Sequence, residues 1–277
     1  MDTTTKNKFL SNKGFVFFGI LAIIIVLVAI FAPVLSGGID PTAGELKDAI
    51  MPPDENHIFG TDKMGRDIYA RVLYAARISL SSTFILVLLI FVVGTALGVV
   101  SGYFGGWVDA VIMRIADMMI AFPGLVLAIA VAGMLDASMR NAIIAITLVT
   151  WPKYARMARS LVLKVRHTDY VYAAIVTGSS TWRMLTKYML PNTITTLVIT
   201  AATDIGGRMM ELAALSFLGF GAQPPTPEWG AMLNEGRDFM QSAPWMMIYP
   251  GLAIFITVVV FNMLGDNLRD ILDPREE

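Results

Sequence analysis

The sequence contains no cysteine, only two histidines and few charged residues. Of its 277 residues 16% are charged, whereas a soluble domain averages about 25%. The lack of cysteine excludes disulfides, thiolate metal sites and a cysteine nucleophile. A formal net charge of −1 gives no reason to expect nucleic acid as a partner. No Gly-Lys dipeptide occurs, so the chain lacks the lysine of a phosphate-binding ATPase loop.

Signatures of an intramembrane enzyme are absent as well. The sequence has neither His-Glu-x-x-His nor Gly-x-Ser-x-Gly, and its two histidines, His57 and His167, stand far apart. We therefore predict no catalytic residue and no metal site.

Long hydrophobic runs dominate what is present. Hydrophobic residues make up 56% of the chain, and its mean hydropathy is +0.64. A helix needs about 20 mainly apolar residues to cross the hydrocarbon core of a bilayer. Six runs approach that length, and the sequence therefore predicts an all-α integral membrane protein with six transmembrane helices at 14–35, 79–103, 110–135, 141–163, 193–218 and 245–264.

The distribution of Lys and Arg predicts the orientation of these helices. With the N-terminus in the cytoplasm, the inner segments hold most of the cations, Lys153 among them. Both termini are thus expected in the cytoplasm. The predicted order is a cytoplasmic tail, a first transmembrane helix, an extracytoplasmic loop with an interfacial helix, a five-helix core and a second cytoplasmic tail, with boundaries at 1–13, 14–35, 36–78, 79–266 and 267–277.

Three features of the spans and loops concern packing. Gly94, Gly98 and Gly102 recur every four residues, so they share one helix face and let a neighbouring backbone approach closely. Pro123 lies inside the third run and predicts a kink. Trp229, in the outer segment before the last span, is expected to be an interfacial anchor.

A polar segment, residues 164–191, separates the fourth and fifth spans. It is too charged for lipid but keeps apolar side chains at helical spacing, which indicates a hairpin of short helices on the cytoplasmic face. Gly178 provides the turn, Ala173 and Ala174 offer a close-contact face, and Pro191 fits the start of the fifth span. A solvated loop needs no such apolar spacing, so we interpret the hairpin as a docking element for a partner.

Three charged residues, Asp204, Arg208 and Glu211, share one face of the fifth span. Unpaired charges at membrane depth are costly, so these side chains should face the bundle interior or water. Asp204 and Arg208 are four residues apart and can pair. The three residues are either a structural charge network, which this spacing favours, or part of the lining of a transport pathway.

The hairpin resembles the cytoplasmic signature of ABC-importer permeases, which reads Glu-Ala-Ala, three residues, Gly, nine residues, Ile, any residue, Leu-Pro. Tyr172 stands in place of the Glu and Tyr188 in place of the Ile. Long blocks elsewhere, such as "GTDKMGRDIYARVLYAARISL" and "LSFLGFGAQPPTPEWGAMLNEGRDFM", are similar to the second permease subunit of peptide and nickel ABC importers. The positions that match the signature are Ala173, Ala174, Gly178, Leu190 and Pro191.

This resemblance implies a type I ABC-importer permease fold in a bacterial or archaeal cytoplasmic membrane. The expected partners are a sister permease that completes a heterodimer, two ABC ATPases, an extracytoplasmic substrate-binding protein and membrane lipid. ATP and Mg²⁺ would bind to the ATPases, and this chain would bind no cofactor. Asp169 and the five matching positions would couple the chain to an ATPase.

The cargo and the energy source have alternatives. Peptides are the expected cargo, and nickel or a metal chelate is the alternative. A secondary transporter driven by an ion gradient would be expected to show an internal repeat with interrupted spans in corresponding halves, and the sequence shows none.

Overall fold

The computed structural model describes residues 11–272. Most of the predicted N-terminal tail (residues 1–10) and the end of the predicted C-terminal tail (residues 273–277) lie outside the described residues. Within 11–272 the chain is helical, and the only β-structure consists of two isolated bridges, Gly44 with Arg66 and Thr61 with Asp67.

Nine helices of eight or more residues organise this part of the chain. They are α1 (Lys13–Ile30), α2 (Ile68–Phe104), α3 (Gly106–Ile120), α4 (Gly124–Gly133), α5 (Met139–Arg166), α6 (Asp169–Val176), α7 (Leu190–Phe217), α8 (Trp229–Gly236) and α9 (Trp245–Leu272). Short helical turns lie at Ala32–Leu35, Leu46–Asp48, Thr181–Arg183 and Arg237–Phe239, and a π-helical segment at Met184–Met189.

Side-chain caps mark where several helices begin. The Asp67 carboxylate accepts from the Ala70 N–H at the start of α2, at 2.8 Å. Asn12 caps α1 in the same way, by accepting from the Phe15 N–H at 2.9 Å. Such caps satisfy N–H groups that have no partner within the first turn of a helix.

Membrane-spanning character is clear for part of the bundle. Helices α1, α2 and α9 are long and apolar enough to cross a membrane, and the bent pair α3–α4 gives up to a fourth span. The pair bends by 94° at 121–123, which confirms the kink predicted at Pro123. Helices α5 and α7 have 28 residues each, roughly 42 Å, but are more polar. The all-α membrane class is confirmed, and the count of six spans stays a prediction.

The bundle has two ends, which we call the hairpin end (residues 167–189) and the loop end (residues 36–67 and 219–244). Helix α2 starts at the loop end and runs without a break for 37 residues, about 55 Å. The interfacial helix predicted before residue 79 is therefore continuous with the second span. Helix α9 likewise continues to Leu272, six residues past the predicted end of the core at 266.

The most extensive helix contact joins α2 to α5. A β-carbon added at Gly98 would lie 2.6 Å from the β-carbon of Ala158, and one at Gly102 would lie 2.9 Å from that of Val162. One at Gly94 would lie 2.8 Å from the carbonyl oxygen of Trp151. Side chains cannot occupy these spaces, so the three glycines let the two backbones touch.

Two large apolar cores and a small third cluster, which contains Ala116, Trp151 and Ala155, lie within the described bundle. The first joins α2, α4, α5, α6 and α7 and reaches into the hairpin end. The second joins α1, the first half of α2, α8 and α9 at the loop end. Helix α2 contributes to both cores and is therefore the helix that connects them.

A buried cluster of four charged residues fastens the loop end. The Arg66 guanidinium contacts Asp62 at 2.6 Å and Glu235 at 3.0 Å, and Arg71 contacts Glu235 at 2.9 Å. The cluster contains two cations and two anions, so its charges balance. It joins the loop, α2 and α8, and loss of one member would leave a buried charge unpaired, at a cost of about 3–5 kcal/mol.

Glu228 and Trp229 complete the loop end. Glu228 caps α8 by accepting from the N–H groups of Gly230 at 3.1 Å and Ala231 at 2.8 Å. Trp229 is buried, and its indole N–H donates to the Val72 carbonyl at 3.0 Å. The expectation that Trp229 is an interfacial anchor is therefore wrong, because the tryptophan packs inside the chain against α2.

The α2–α5 contact yields a stability prediction. We expect Gly98→Ala to lower the free energy of unfolding by about 1–3 kcal/mol, because the new methyl group has no space. The matched control is Gly207→Ala, also within a helix, where a β-carbon meets nothing within 4 Å. That change should be neutral or stabilising by up to about 1 kcal/mol. Melting temperatures of the chain purified in detergent check this, and equal shifts for both variants would contradict it.

Glu228 yields a pH prediction. Burial raises the pKa of this carboxyl above its ordinary value of 4.5, although the N–H groups of Gly230 and Ala231 oppose the shift. A raised pKa in the folded state means that stability is lost as the pH rises through it. The melting temperature of the native protein, relative to Glu228→Gln, should therefore fall as the pH rises above 4.5, the ordinary value of this carboxyl. A difference that is constant or grows over this range would argue against a raised pKa.

Candidate functional site

The polar segment between α5 and α7 forms a hairpin whose inner side packs against the first apolar core. Helix α6 is its first arm, and residues 181–189 are its second arm, which continues into α7 without a break. Gly178 lies in the turn between the arms with a φ of +75°, which favours glycine. Val171 and Ala174 of α6 are buried in the first apolar core, as are Met184 and Met189 of the second arm.

The outer surface of the hairpin is apolar and exposed. Val176 is 87% exposed and Trp182 74%, and Tyr172 and Ile175 are about half exposed. A β-carbon at Gly178 would meet nothing within 4 Å, so the tip of the hairpin is open. Large exposed apolar side chains that lie together are typical of an interaction surface.

The structure separates the residues that were predicted to act together in docking. Ala173 is exposed whereas Ala174 is buried, so only Ala173 is available to a partner. Asp169 is exposed in the first turn of α6, and Pro191 is exposed in the first turn of α7. Leu190 is half-buried and packs against the first core.

Tyr172, which replaces the Glu of the permease signature, has a partner within the hairpin. Its hydroxyl lies 3.0 Å from Nδ1 of His167, the C-cap residue that follows α5. This contact ties α6 to the end of α5. No sequence pattern indicates this contact, because a lone histidine and a tyrosine five residues apart form no recognised motif.

The second candidate site is a charged cluster in the middle of the bundle. Asp204 and Lys153 each lie near the centre of a 28-residue helix, and Nζ of Lys153 is 2.8 Å from Oδ1 of Asp204. The Tyr154 hydroxyl donates to Asp204 at 3.1 Å. Arg208 contacts Glu211 at 2.5 Å but approaches Asp204 only to 3.9 Å. The strong partners of Asp204 are thus on α5, and the pair predicted within α7 is the weaker contact.

Lys153 and Tyr154 are the residues that sequence reasoning missed at this cluster. The distribution of cations predicts Lys153 in an inner segment, but the residue lies in the middle of α5. Its position inside the apolar run 141–163 was the available signal. A lysine at that depth needs an anion on a neighbouring helix.

A cleft of about 310 Å³ opens beside the charged cluster. Its walls come from both sides of the α3–α4 break, from α5 and from α7. Lys153, Arg208 and Glu211 line it together with Thr150 and with apolar side chains such as Phe122 and Leu125. The described residues contain no group of three or more His, Cys, Asp or Glu that could hold a metal ion.

Comparison with known proteins relates this architecture to transport components. The family model described as "binding-protein-dependent transport system inner membrane component" matches residues 94–277. The model described as "N-terminal TM domain of oligopeptide transport permease C" matches residues 5–53.

Curated relatives agree with these matches. The chain is 43% identical over 250 residues to the dipeptide transport system permease protein DppC of Alkalihalophilus pseudofirmus. The matched region covers 90% of this chain and 82% of the relative. It is 45% identical over 223 residues to the glutathione transport system permease protein GsiD of Pectobacterium atrosepticum, covering 80% and 74%. It is 41% identical over 270 residues to the nickel transport system permease protein NikC of Escherichia coli K12, covering 97% of each chain.

Proposed function

Because the chain belongs to the family of inner-membrane components of binding-protein-dependent transport systems, we propose that it forms half of the translocation pathway of an ATP-driven importer of small peptides. The family assignment rests on the match over residues 94–277. Peptide cargo is supported by the similarity to permeases named for dipeptide and glutathione transport. The chain is thus a multi-pass membrane subunit, and its own role is passage and coupling rather than catalysis.

The partners in this proposal follow from the family. A sister permease supplies the other half of the pathway, and an extracytoplasmic binding protein delivers the cargo. Two cytoplasmic ABC ATPases bind ATP and Mg²⁺, and this chain binds no cofactor. The hairpin end and both termini face the cytoplasm, which agrees with the cations that flank the hairpin, among them Lys164, Arg166, Arg183 and Lys187.

The hairpin docks in a groove of one ATPase in this mechanism. Its apolar outer surface, centred on Ile175, Val176 and Trp182, enters the groove, while Val171 and Ala174 hold the hairpin on the bundle. ATP-driven closure of the ATPase pair moves the hairpin only if the contact differs in strength between the open and closed states. Helices α5 and α7 carry that movement into the bundle, since both are joined directly to the hairpin.

Nickel, or a metal chelate, is the second candidate cargo. The specific observation in its favour is the similarity to the nickel transport permease, which extends over 97% of both chains. In systems of this kind the binding protein selects the cargo, so the permease of a nickel importer need not hold a metal site.

Parallel uptake measurements test the proposed cargo. In cells that lack this gene, we expect uptake of a radiolabelled dipeptide to be lost and uptake of radiolabelled nickel to be unchanged, with both at normal levels when the gene is restored. Loss of nickel uptake alone would replace the peptide proposal with the nickel one. Retention of both signals would contradict import of either cargo.

The docking role of the hairpin gives a second test. Gly178→Asp should reduce cargo uptake by about tenfold or more, because the tip is open in this chain and the added side chain and charge obstruct only a partner. Asp tolerates a positive φ better than most residues, so the chain itself should fold. The amount of the subunit in the membrane and its co-purification with the ATPases are measured alongside uptake.

Gly38→Asp is the matched control. Gly38 has a φ of +78° and also meets nothing within 4 Å, but it lies at the loop end. It should leave uptake close to the native level. Native uptake by the Gly178 variant, or an equal loss in both variants, would refute docking through the hairpin tip.

A further inference from the structure

We propose that the cleft beside the α3–α4 break is a binding subsite for a small zwitterion, with Lys153 and Arg208 facing its carboxylate and Glu211 its ammonium group. The inference rests on the proposed function as a peptide importer and names the groups of this chain that meet the cargo. It assigns the charged cluster to the pathway, in addition to its contribution to holding α5 and α7 together.

The location of the cleft suits passage through the bundle. Lys153, which lines the cleft, and Asp204, which lies behind it, are near the midpoints of α5 and α7, and the third wall is the break between α3 and α4. In secondary transporters, binding sites lie near the membrane midplane beside discontinuous helices, and this cleft shares that arrangement. The volume of about 310 Å³ is at the lower end of the range for small-molecule sites.

The charges that face the cleft differ from those behind it. Lys153, Arg208 and Glu211 line the cleft, whereas Asp204 does not. Asp204 contacts both cations, at 2.8 Å for Lys153 and 3.9 Å for Arg208, and so holds them near one another. Asp204 is therefore a positioning residue, and the cleft itself offers two cations and one anion.

The contacts within the charged cluster leave some of its polar groups exposed or without a partner. The Nε–H of Arg208 is buried and has no acceptor among the described residues, although the side chain contacts Glu211 and Asp204. The Lys153 side chain is half exposed and that of Glu211 is 34% exposed. In a purely structural charge cluster, every buried N–H donor would be expected to have an acceptor. The cluster of Arg66 and Arg71 at the loop end nearly meets this expectation.

A zwitterion matches this arrangement in charge. The four side chains of the cluster balance, so a cargo with one carboxylate and one ammonium group adds no net charge at membrane depth, where an uncompensated charge is costly. The carboxylate meets Lys153 and Arg208, and the ammonium group competes for Glu211. Phe122 and Leu125 supply an apolar wall that accepts different cargo side chains.

Binding of blocked and free dipeptides tests the assignment. The complete transporter, purified in detergent without its binding protein, is titrated with labelled Ala-Ala, with Ala-Ala amide and with N-acetyl-Ala-Ala. Lys153→Met should weaken binding of Ala-Ala about tenfold and leave the amide, which lacks the carboxylate, unchanged. Lys153→Arg should restore binding of Ala-Ala. Glu211→Gln should weaken Ala-Ala about tenfold and leave the N-acetyl peptide unchanged.

Controls separate this inference from the proposed function. Lys63→Met removes an exposed lysine at the loop end and should change no titration. If Lys153→Met prevents assembly, Glu211→Gln carries the test, since Gln keeps the shape of a partly exposed side chain. Equal weakening of all three peptides, or no weakening of Ala-Ala, would overturn the subsite. So would the absence of Ala-Ala binding to a native transporter that imports dipeptides, while failure of cells to import dipeptides would overturn the proposed function and the subsite with it.

Discussion

The direct backbone contact between α2 and α5 is the constraint on which the rest of the bundle depends. Because Gly94, Gly98 and Gly102 leave no side chain between the helices, α5 is held against the longest helix of the chain. Lys153 projects from the middle of α5, and the hairpin begins at its end, about 20 Å further along. The position of the cleft and that of the hairpin are therefore fixed by the same rigid helix.

The two charged clusters of the chain illustrate opposite uses of burial. At the loop end, the side chains of Asp62, Arg66, Arg71 and Glu235 are buried and contact one another, so they join a loop to two helices. In the middle of the bundle, the cluster around Asp204 faces a cleft, keeps an unpartnered donor and includes a half-exposed lysine. Similar residue types thus build a closed structural joint at one site and an open, polar wall at the other.

The sequence predicts local features of this fold better than contacts between distant segments. The kink at Pro123 and the membrane class follow from short patterns that act within one segment, and both are confirmed. The burial of Trp229 and the pairing of Lys153 with Asp204 depend on contacts between residues that are 157 and 51 positions apart in the chain, respectively. No repeating pattern within one segment of the sequence predicts such contacts. The contrast between Ala173 and Ala174 likewise depends on which side of α6 meets the core.

The two arms of the hairpin connect the proposed docking surface to both walls of the cleft. The first arm follows α5, which carries Lys153, and the second arm passes through the π-helical segment Met184–Met189 into α7, which carries Arg208 and Glu211. A π-helical turn is a weak point in a helix and often occurs at functional sites. Both helices are held by glycine contacts, α5 against α2 and α7 against α9, where a β-carbon added at Gly265 would lie 2.7 Å from Cα of Thr203. The proposed movement of the hairpin would therefore shift the α7–α9 pair relative to the α2–α5 pair and change the separation of Lys153 from Arg208, which is the property that a pathway must alter to release its cargo.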